Sequence, residues 1–261
     1  MDSNNIGLAL SGGGIRGAMH IGFLEATEKF RPQISAVAGT SIGSIIGAFY
    51  AAGYTSQQML NLFKQQSLFS IVGWSGFTNQ VGLMEMSGLQ KILEKYLPKD
   101  FSELEKPFTA IATELESEKV LVIDNGNLHE AVIASCSIPI LFKPVQIQGK
   151  ECVDGGVLMN LPANVLINQT DKIIGVDINK MYYPENYHSL RVFAEKIFMM
   201  SIRGNTEISK QYCDYIIEPN MPHVGALDFK GMELYYQAGL NVGKEFRDSP
   251  EKFLNPNKVK F

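Results

Sequence analysis

Three short segments of this 261-residue chain combine residue types that can do chemistry. The first is Ser11-Gly12-Gly13-Gly14-Ile15-Arg16-Gly17, between an apolar run and a helical pattern. Adjacent glycines carry no Cβ, so the backbone can turn sharply and aim several N–H groups at one point. The helix start adds unpaired N–H groups and a positive dipole end. Such a loop is an anion site, for a phosphate or for the oxyanion of acyl transfer. The spacing also satisfies G-x-G-x-x-G, a dinucleotide signature, and a tight turn without a ligand is the plain alternative. A dinucleotide site calls for an acidic residue at the end of the second strand. Here that strand runs into Gly39-Thr40-Ser41 instead, which counts against a nucleotide-binding oxidoreductase.

The second segment, Gly39-Thr40-Ser41-Ile42-Gly43, is a G-x-S-x-G pattern at another strand–helix junction. Flanking glycines can hold such a serine on a strained turn with Oγ exposed. The competing reading is a serine N-cap ahead of a helix whose small residues, Gly43, Gly47, Ala48 and Ala51, pack closely. The third segment, Val153-Asp154-Gly155-Gly156-Val157, delivers an aspartate onto a glycine turn. By itself it reads as an Asp-Gly hairpin. The functional alternative is a carboxylate brought close to a neighbour.

A serine nucleophile needs a base, and the four histidines are His20, His129, His188 and His223. His129-Glu130 opens like a zinc motif, but position 133 is Ile133 and the motif fails. His20 reads as a packed or surface residue. His188 and His223 follow Asp154, so the Ser–Asp–His order of a histidine-dependent α/β-hydrolase esterase stays open.

These segments need strands that end at one place. Strands are predicted at Ile6–Leu10, Ile34–Ala38, Phe108–Thr113, Val120–Asp124, Lys143–Ile147 and Lys172–Ile178. Helices are predicted at Gly17–Phe30, Ile42–Ala52, Ser56–Gln66, Ser87–Tyr96, Leu128–Cys136, Ala163–Asn168, Ser189–Tyr212 and Met232–Phe246. The alternation implies an α/β fold with a mainly parallel central sheet covered on both faces. Leu190, Phe193, Ile197 and Met200 recur at helical spacing and read as a core face, with a lipid-facing stripe as the alternative.

Composition narrows the classes. An apolar fraction of 45% and a charged fraction of 19% are those of a folded globular chain. A net charge of −4 argues against a cationic nucleic-acid binder. The cysteines, Cys136, Cys152 and Cys213, are scattered and indicate neither a zinc site nor a disulfide framework. No calcium-loop pattern is present, so neither metal nor cofactor is expected. The polar start, Met1-Asp2-Ser3-Asn4-Asn5, is no secretory signal, and the uncharged helical stretch near Ile42–Tyr54 is too short to span a bilayer. A cytoplasmic protein is expected.

In order, Gly12-Gly13-Gly14-Ile15-Arg16-Gly17, Gly39-Thr40-Ser41-Ile42-Gly43 and Asp154-Gly155-Gly156 resemble the motifs of the patatin-like phospholipases. Ala134-Ser135-Cys136-Ser137-Ile138-Pro139-Ile140-Leu141-Phe142-Lys143-Pro144-Val145 and Asn160-Leu161-Pro162 resemble the family's flanks of that aspartate. The likeness runs from about Ile6 to about Phe246. It implies a three-layer α/β/α fold and a Ser–Asp dyad, with Ser41 as nucleophile and Asp154 as base. It also implies an oxyanion hole of backbone N–H groups in Gly12, Gly13 and Gly14. Arg16 matches the family's basic position, holding the loop or a lipid phosphate. An ordinary carboxylate is a weak base for a hydroxyl, so burial should raise the basicity of Asp154.

The implied substrate is a lipid or fatty-acyl ester, with peripheral membrane contact; head group, chain length and oligomeric state are not encoded in these motifs. Residues 68–77, holding Trp74 and Phe77, read either as a lid or membrane-contact loop or as core. Residues 6–247 are expected to form one domain and 248–261 a C-terminal tail.

Overall fold

The computed structural model describes residues 5–64, 86–139, 141–179, 190–220 and 231–259. Nearly every residue of β1 (Ile6–Leu10) and β2 (Ile34–Thr40) is buried, the pattern of strands covered on both faces. Alternate side chains serve two cores. Leu8, Leu10 and Val37 join the larger cluster, whereas Ala9, Ala36 and Ala38 meet Leu161, Ala163 and Leu166 in a smaller one.

The remaining strands are β3 (Phe108–Glu114), β4 (Lys119–Ile123), β5 (Val145–Ile147), β6 (Lys150–Asp154), β7 (Lys172–Val176) and β8 (Tyr215–Ile217). The sheet order is β5-β6-β3-β2-β1-β7-β8, with β4 also paired to β3. The β3-β2-β1-β7-β8 pairs are parallel, while β4 and β6 run antiparallel to β3. The helices include α1 (Ala18–Ala26), α2 (Ile42–Ala51), α3 (Ser56–Lys64), α4 (Ser87–Tyr96), α5 (Leu128–Ser135), α6 (Leu190–Lys210) and α7 (Met232–Asp248). This is the expected α/β fold with a mainly parallel sheet.

Register explains how distant segments meet. Thr40 pairs with Ile111 of β3, and Asp154 pairs with the next residue, Ala112. β4 occupies the opposite edge across Ala110–Glu114, so β2 and β6 follow one another along the same edge of β3. The end of β2 and the end of β6 are thereby adjacent.

Three expectations change. Ile197 and Met200 are 50% and 58% exposed, so the α6 stripe is not a core face at those positions. The buried face holds Ile202, Thr206 and Ser209. Polar bonds orient the helix: Asn205 donates to Gly156 O and Val157 O, and Lys210 pairs with Asp177. Asp154-Gly155-Gly156 forms no hairpin; a 3-10 turn spans Gly155–Val157. The segment after α7 packs rather than trails. Phe253 meets the Phe246 ring, Lys258 pairs with Asp214 at 2.7 Å, and Val259 N–H donates to Gln211 O. Residues 68–77 lie outside the described residues. No helix among the described residues is long and apolar enough to cross a membrane.

Candidate active site

Ser41 sits between β2 and α2 with φ 53° and ψ −126°, a strained conformation for a residue with a side chain. Both glycines of the motif are needed for close approach. A Cβ on Gly43 would lie 2.3 Å from Leu10 O, and one on Gly39 would lie 2.2 Å from Gly43 O. Ser41 stands at the N-cap position of α2, yet its hydroxyl caps nothing. Its N–H instead donates to Ser135 Oγ at 2.9 Å, and its carbonyl accepts from Ser44 Oγ at 2.7 Å. The peptide is held from both sides and Oγ is left for other work.

The Ser41 hydroxyl lies beside the Asp154 carboxylate and favours its charged form. Asp154 is 2% exposed, and Gly156 N–H donates to its Oδ1 at 2.7 Å. Burial raises its pKa from 3.8 to about 6, against the opposing pull of the Ser41 hydroxyl and the Gly156 N–H. The direction is the one that a base for a hydroxyl needs. Asp154 N–H donates to Ser137 O, so the Ser135–Ser137 stretch at the C-terminal end of α5 braces both the serine and the aspartate.

The glycine loop lies against the serine: a Cβ on Gly12 would come 3.1 Å from Ser41 Cβ. Gly12 N–H already donates to Asn160 O at 3.1 Å, which leaves Gly13 and Gly14 to offer N–H groups. Gly13 and Gly14 have φ of 156° and 60°, and Gly14 opens a 3-10 turn over Gly14–Gly17. Arg16 is 1% exposed and donates to Asn179 Oδ1 at 3.1 Å, so it braces the loop from within.

Neither described histidine bonds Ser41 or Asp154. His20 Nε2 bonds Ser11 O, and burial lowers its pKa from 6.5 to about 4. His129 Nε2 bonds Leu97 O. His188 and His223 lie outside the described residues. No group of three His, Cys, Asp or Glu side chains among the described residues is placed to hold a metal. The end of β2 carries Thr40 and Ser41 where a ribose-binding acid would stand.

Motif reading left several supporting residues unremarked. Asn160 was visible only through its resemblance segment. Asn205 Oδ1 accepts from Asn160 N–H at 2.9 Å, and Asn160 Nδ2 donates to Thr206 Oγ1. Neither Asn205 nor Asn179 falls in a motif, so no local signal marked them.

Comparison with known proteins identifies the family and the fold. The sequence profile described as patatin-like phospholipase matches residues 8–167. Lysophospholipase NTE1 of Cryptococcus neoformans is 33% identical over 275 residues, covering 92% of this chain and 17% of that protein. An uncharacterized NTE family protein of Mycobacterium tuberculosis is 29% identical over 181 residues, covering 68% of this chain and 50% of that protein. The chain thus spans half or less of the length of these relatives. Among solved structures, VipD from Legionella pneumophila superposes with a TM-score of 0.56 at 15% identity, covering 94% of this chain and 67% of that one. ExoU in complex with SpcU from Pseudomonas aeruginosa gives 0.52 at 14% identity, covering 97% and 53%. Both likenesses concern the fold.

Proposed function

Because the chain belongs to the patatin-like phospholipase family, we propose that it is a serine acyl hydrolase of lipid esters, of phospholipase A or lysophospholipase type. The observation that carries this reading is the meeting of a strained Ser41 at the end of β2, the buried Asp154 at the adjacent end of β6, and the glycine loop packed against the serine. Ser41 Oγ attacks the ester carbonyl while Asp154 accepts the hydroxyl proton. Negative charge gathers on the former carbonyl oxygen, and the N–H groups of Gly13 and Gly14 receive it. The alkoxide leaves with the proton from Asp154. Water, deprotonated by the same carboxylate, then attacks the acyl-enzyme; the fatty acid is freed as the Ser41 Oγ–acyl bond breaks and Asp154 returns the proton to Ser41 Oγ.

Lipid contact is part of the proposal. Ile197, Met200 and Ile208 stand exposed on the outer face of α6, whose inner face holds the turn after Asp154. Such a face can rest at a lipid surface while the site works beneath it.

The test is release of fatty acid from a panel of phospholipids, lysophospholipids and a soluble p-nitrophenyl ester. Ser41→Ala should lose turnover on every substrate, by about 10⁴-fold or more. His188→Ala and His223→Ala should keep turnover near wild type. Full loss in either histidine variant would favour a histidine-dependent triad, and retained activity in Ser41→Ala would end the proposal.

A further inference from the structure

The loop that offers Gly13 and Gly14 cannot hold its own shape, since glycine backbones are soft. Something outside it must fix the direction of each peptide. Asn179, three residues beyond β7, meets that need. Its Nδ2 donates to Gly12 O at 2.6 Å, with Ser11 Oγ a further 3.5 Å contact. Its Oδ1 accepts from Arg16 Nη1 at 3.1 Å. A carbonyl on one side and a guanidinium on the other allow only one orientation of the amide.

The consequence follows from peptide geometry. In a trans peptide, the carbonyl of one residue and the N–H of the next point in opposite directions. Holding Gly12 O against Asn179 therefore turns Gly13 N–H away from Asn179. Gly12 N–H is held separately by Asn160 O. Both polar groups of Gly12 are thus tied to the scaffold, and Gly13 N–H is the first one aimed elsewhere.

Asn179 is itself anchored. Its N–H donates to Asp177 Oδ1 at 3.0 Å, and Ile178 N–H donates to Ser11 Oγ at 3.1 Å. Asp177 Oδ2 pairs with Lys210 Nζ at 3.0 Å, where both side chains are nearly buried. A Cβ on Gly13 would meet Ile178 Cδ1 at 2.8 Å and Asn179 Oδ1 at 3.0 Å, so loop and clamp are in direct contact.

We propose that Asn179 is a positioning residue for the oxyanion loop: its amide sets the Gly12–Gly13 peptide so that Gly13 N–H can receive the developing charge. This rests on the hydrolase reading above. Asn179→Asp keeps the size and the acceptor for Arg16 but sets an oxygen against Gly12 O. Asn179→Ala removes both bonds. Active sites are counted by fluorophosphonate titration, and kcat is expressed per titrated site on the soluble ester. Both variants should lose about 10- to 100-fold in kcat, less than the loss of an entire oxyanion donor, with KM changed by no more than about threefold.

Inhibition by an alkyl trifluoromethyl ketone, whose serine adduct bears the oxyanion, should weaken by a similar factor. The pH at which kcat/KM rises should stay put, because Asp154 is untouched. A merely structural role would lower the titrated fraction and leave kcat per site and ketone affinity intact, and that result in Asn179→Asp overturns the proposal. If Asn179→Ala fails to fold, the Asp variant carries the test. Ser41→Ala, run in parallel, separates the two readings: turnover there sinks the hydrolase reading itself, whereas wild-type behaviour of the Asn179 variants sinks only the clamp.

Discussion

The two halves of the sheet contribute to the site by different physics. The parallel half ends β1, β2 and β7 at one edge, where the chain offers backbone features: a strained serine corner, a glycine loop and a helix start. The antiparallel flank offers one side chain, Asp154, at the end of β6. On the proposed reading, the first half works through conformation that glycine permits. On the same reading, the second works through burial of a charge that would be more stable in water. One half is therefore sensitive to added atoms, and the other to the removal of a charge.

The largest contrast is expected at Asp154. Asp154→Asn should lower kcat by about 10⁴-fold, the scale seen when the acidic member of a catalytic constellation is removed. The same change should stabilise the fold near neutral pH. Burial lifts the Asp154 pKa from 3.8 to about 6, so ionising it in the folded state costs about 3 kcal/mol. Thermal unfolding at pH 8 would show a higher Tm for the variant, and an equal or lower one would deny that the carboxylate is held at a cost.

On the parallel half, Gly43→Ala should reduce both activity and stability. Its methyl would sit 2.3 Å from Leu10 O, which forces the serine corner to shift. A displacement of about 1 Å costs on the order of 100-fold in rate. Crystallography of the variant with kinetics on the soluble ester would check it; an undisturbed rate would mean that the close approach has no role in aiming Oγ.

Acidity sharpens the comparison further. As pH falls through about 6, Asp154 gains a proton and loses its capacity as a base, so kcat/KM should drop about tenfold per unit below that point. Stability follows another rule. His20, depressed to about 4, contributes stability above 6.5 that is lost as pH falls, because the unfolded chain takes up the proton first. Asp154 does the reverse: with its pKa raised in the folded state, its contribution is fully present below 3.8 and lost as pH rises through about 6. The two slopes oppose each other between about 4 and 6. Asp154→Asn should expose the His20 slope, so that variant would lose stability on acidification more steeply than wild type in urea titrations.

The smallest effect concerns lipid contact. Ile197→Ser with Met200→Ser should weaken hydrolysis of liposomal substrate several-fold and spare the soluble ester. An equal loss on both substrates would place those residues in folding rather than at a lipid surface.

The same contrast explains what was legible in the sequence. Parallel strand–helix units repeat an apolar run, a glycine turn and a helical period, so β1, β2 and the corner at Ser41 were readable. β6 contains Lys150 and Glu151 and pairs with β3 at only Cys152, Val153 and Asp154, so nothing in its pattern announced a strand. β8 is a short stretch over Tyr215–Ile217 and was missed for the same reason. Helical spacing found the apolar stripe of α6, but periodicity does not say which way a stripe faces. Polar contacts of Asn205, Thr206 and Lys210 turn one face of α6 inward and leave Ile197 and Met200 exposed. Asn179 acts through contacts with Gly12 and Arg16, far off in sequence, and no spacing rule reaches that distance.

The most direct measurement is the rate and site of covalent labelling by a fluorophosphonate, read by peptide mass spectrometry on wild type, Ser41→Ala and Asp154→Asn at pH 8. One adduct on the peptide bearing Ser41 is expected in wild type, none in Ser41→Ala, and a rate slowed by orders of magnitude in Asp154→Asn. Labelling of Asp154→Asn at the wild-type rate, or an adduct on another residue in Ser41→Ala, would contradict a serine activated by that buried carboxylate.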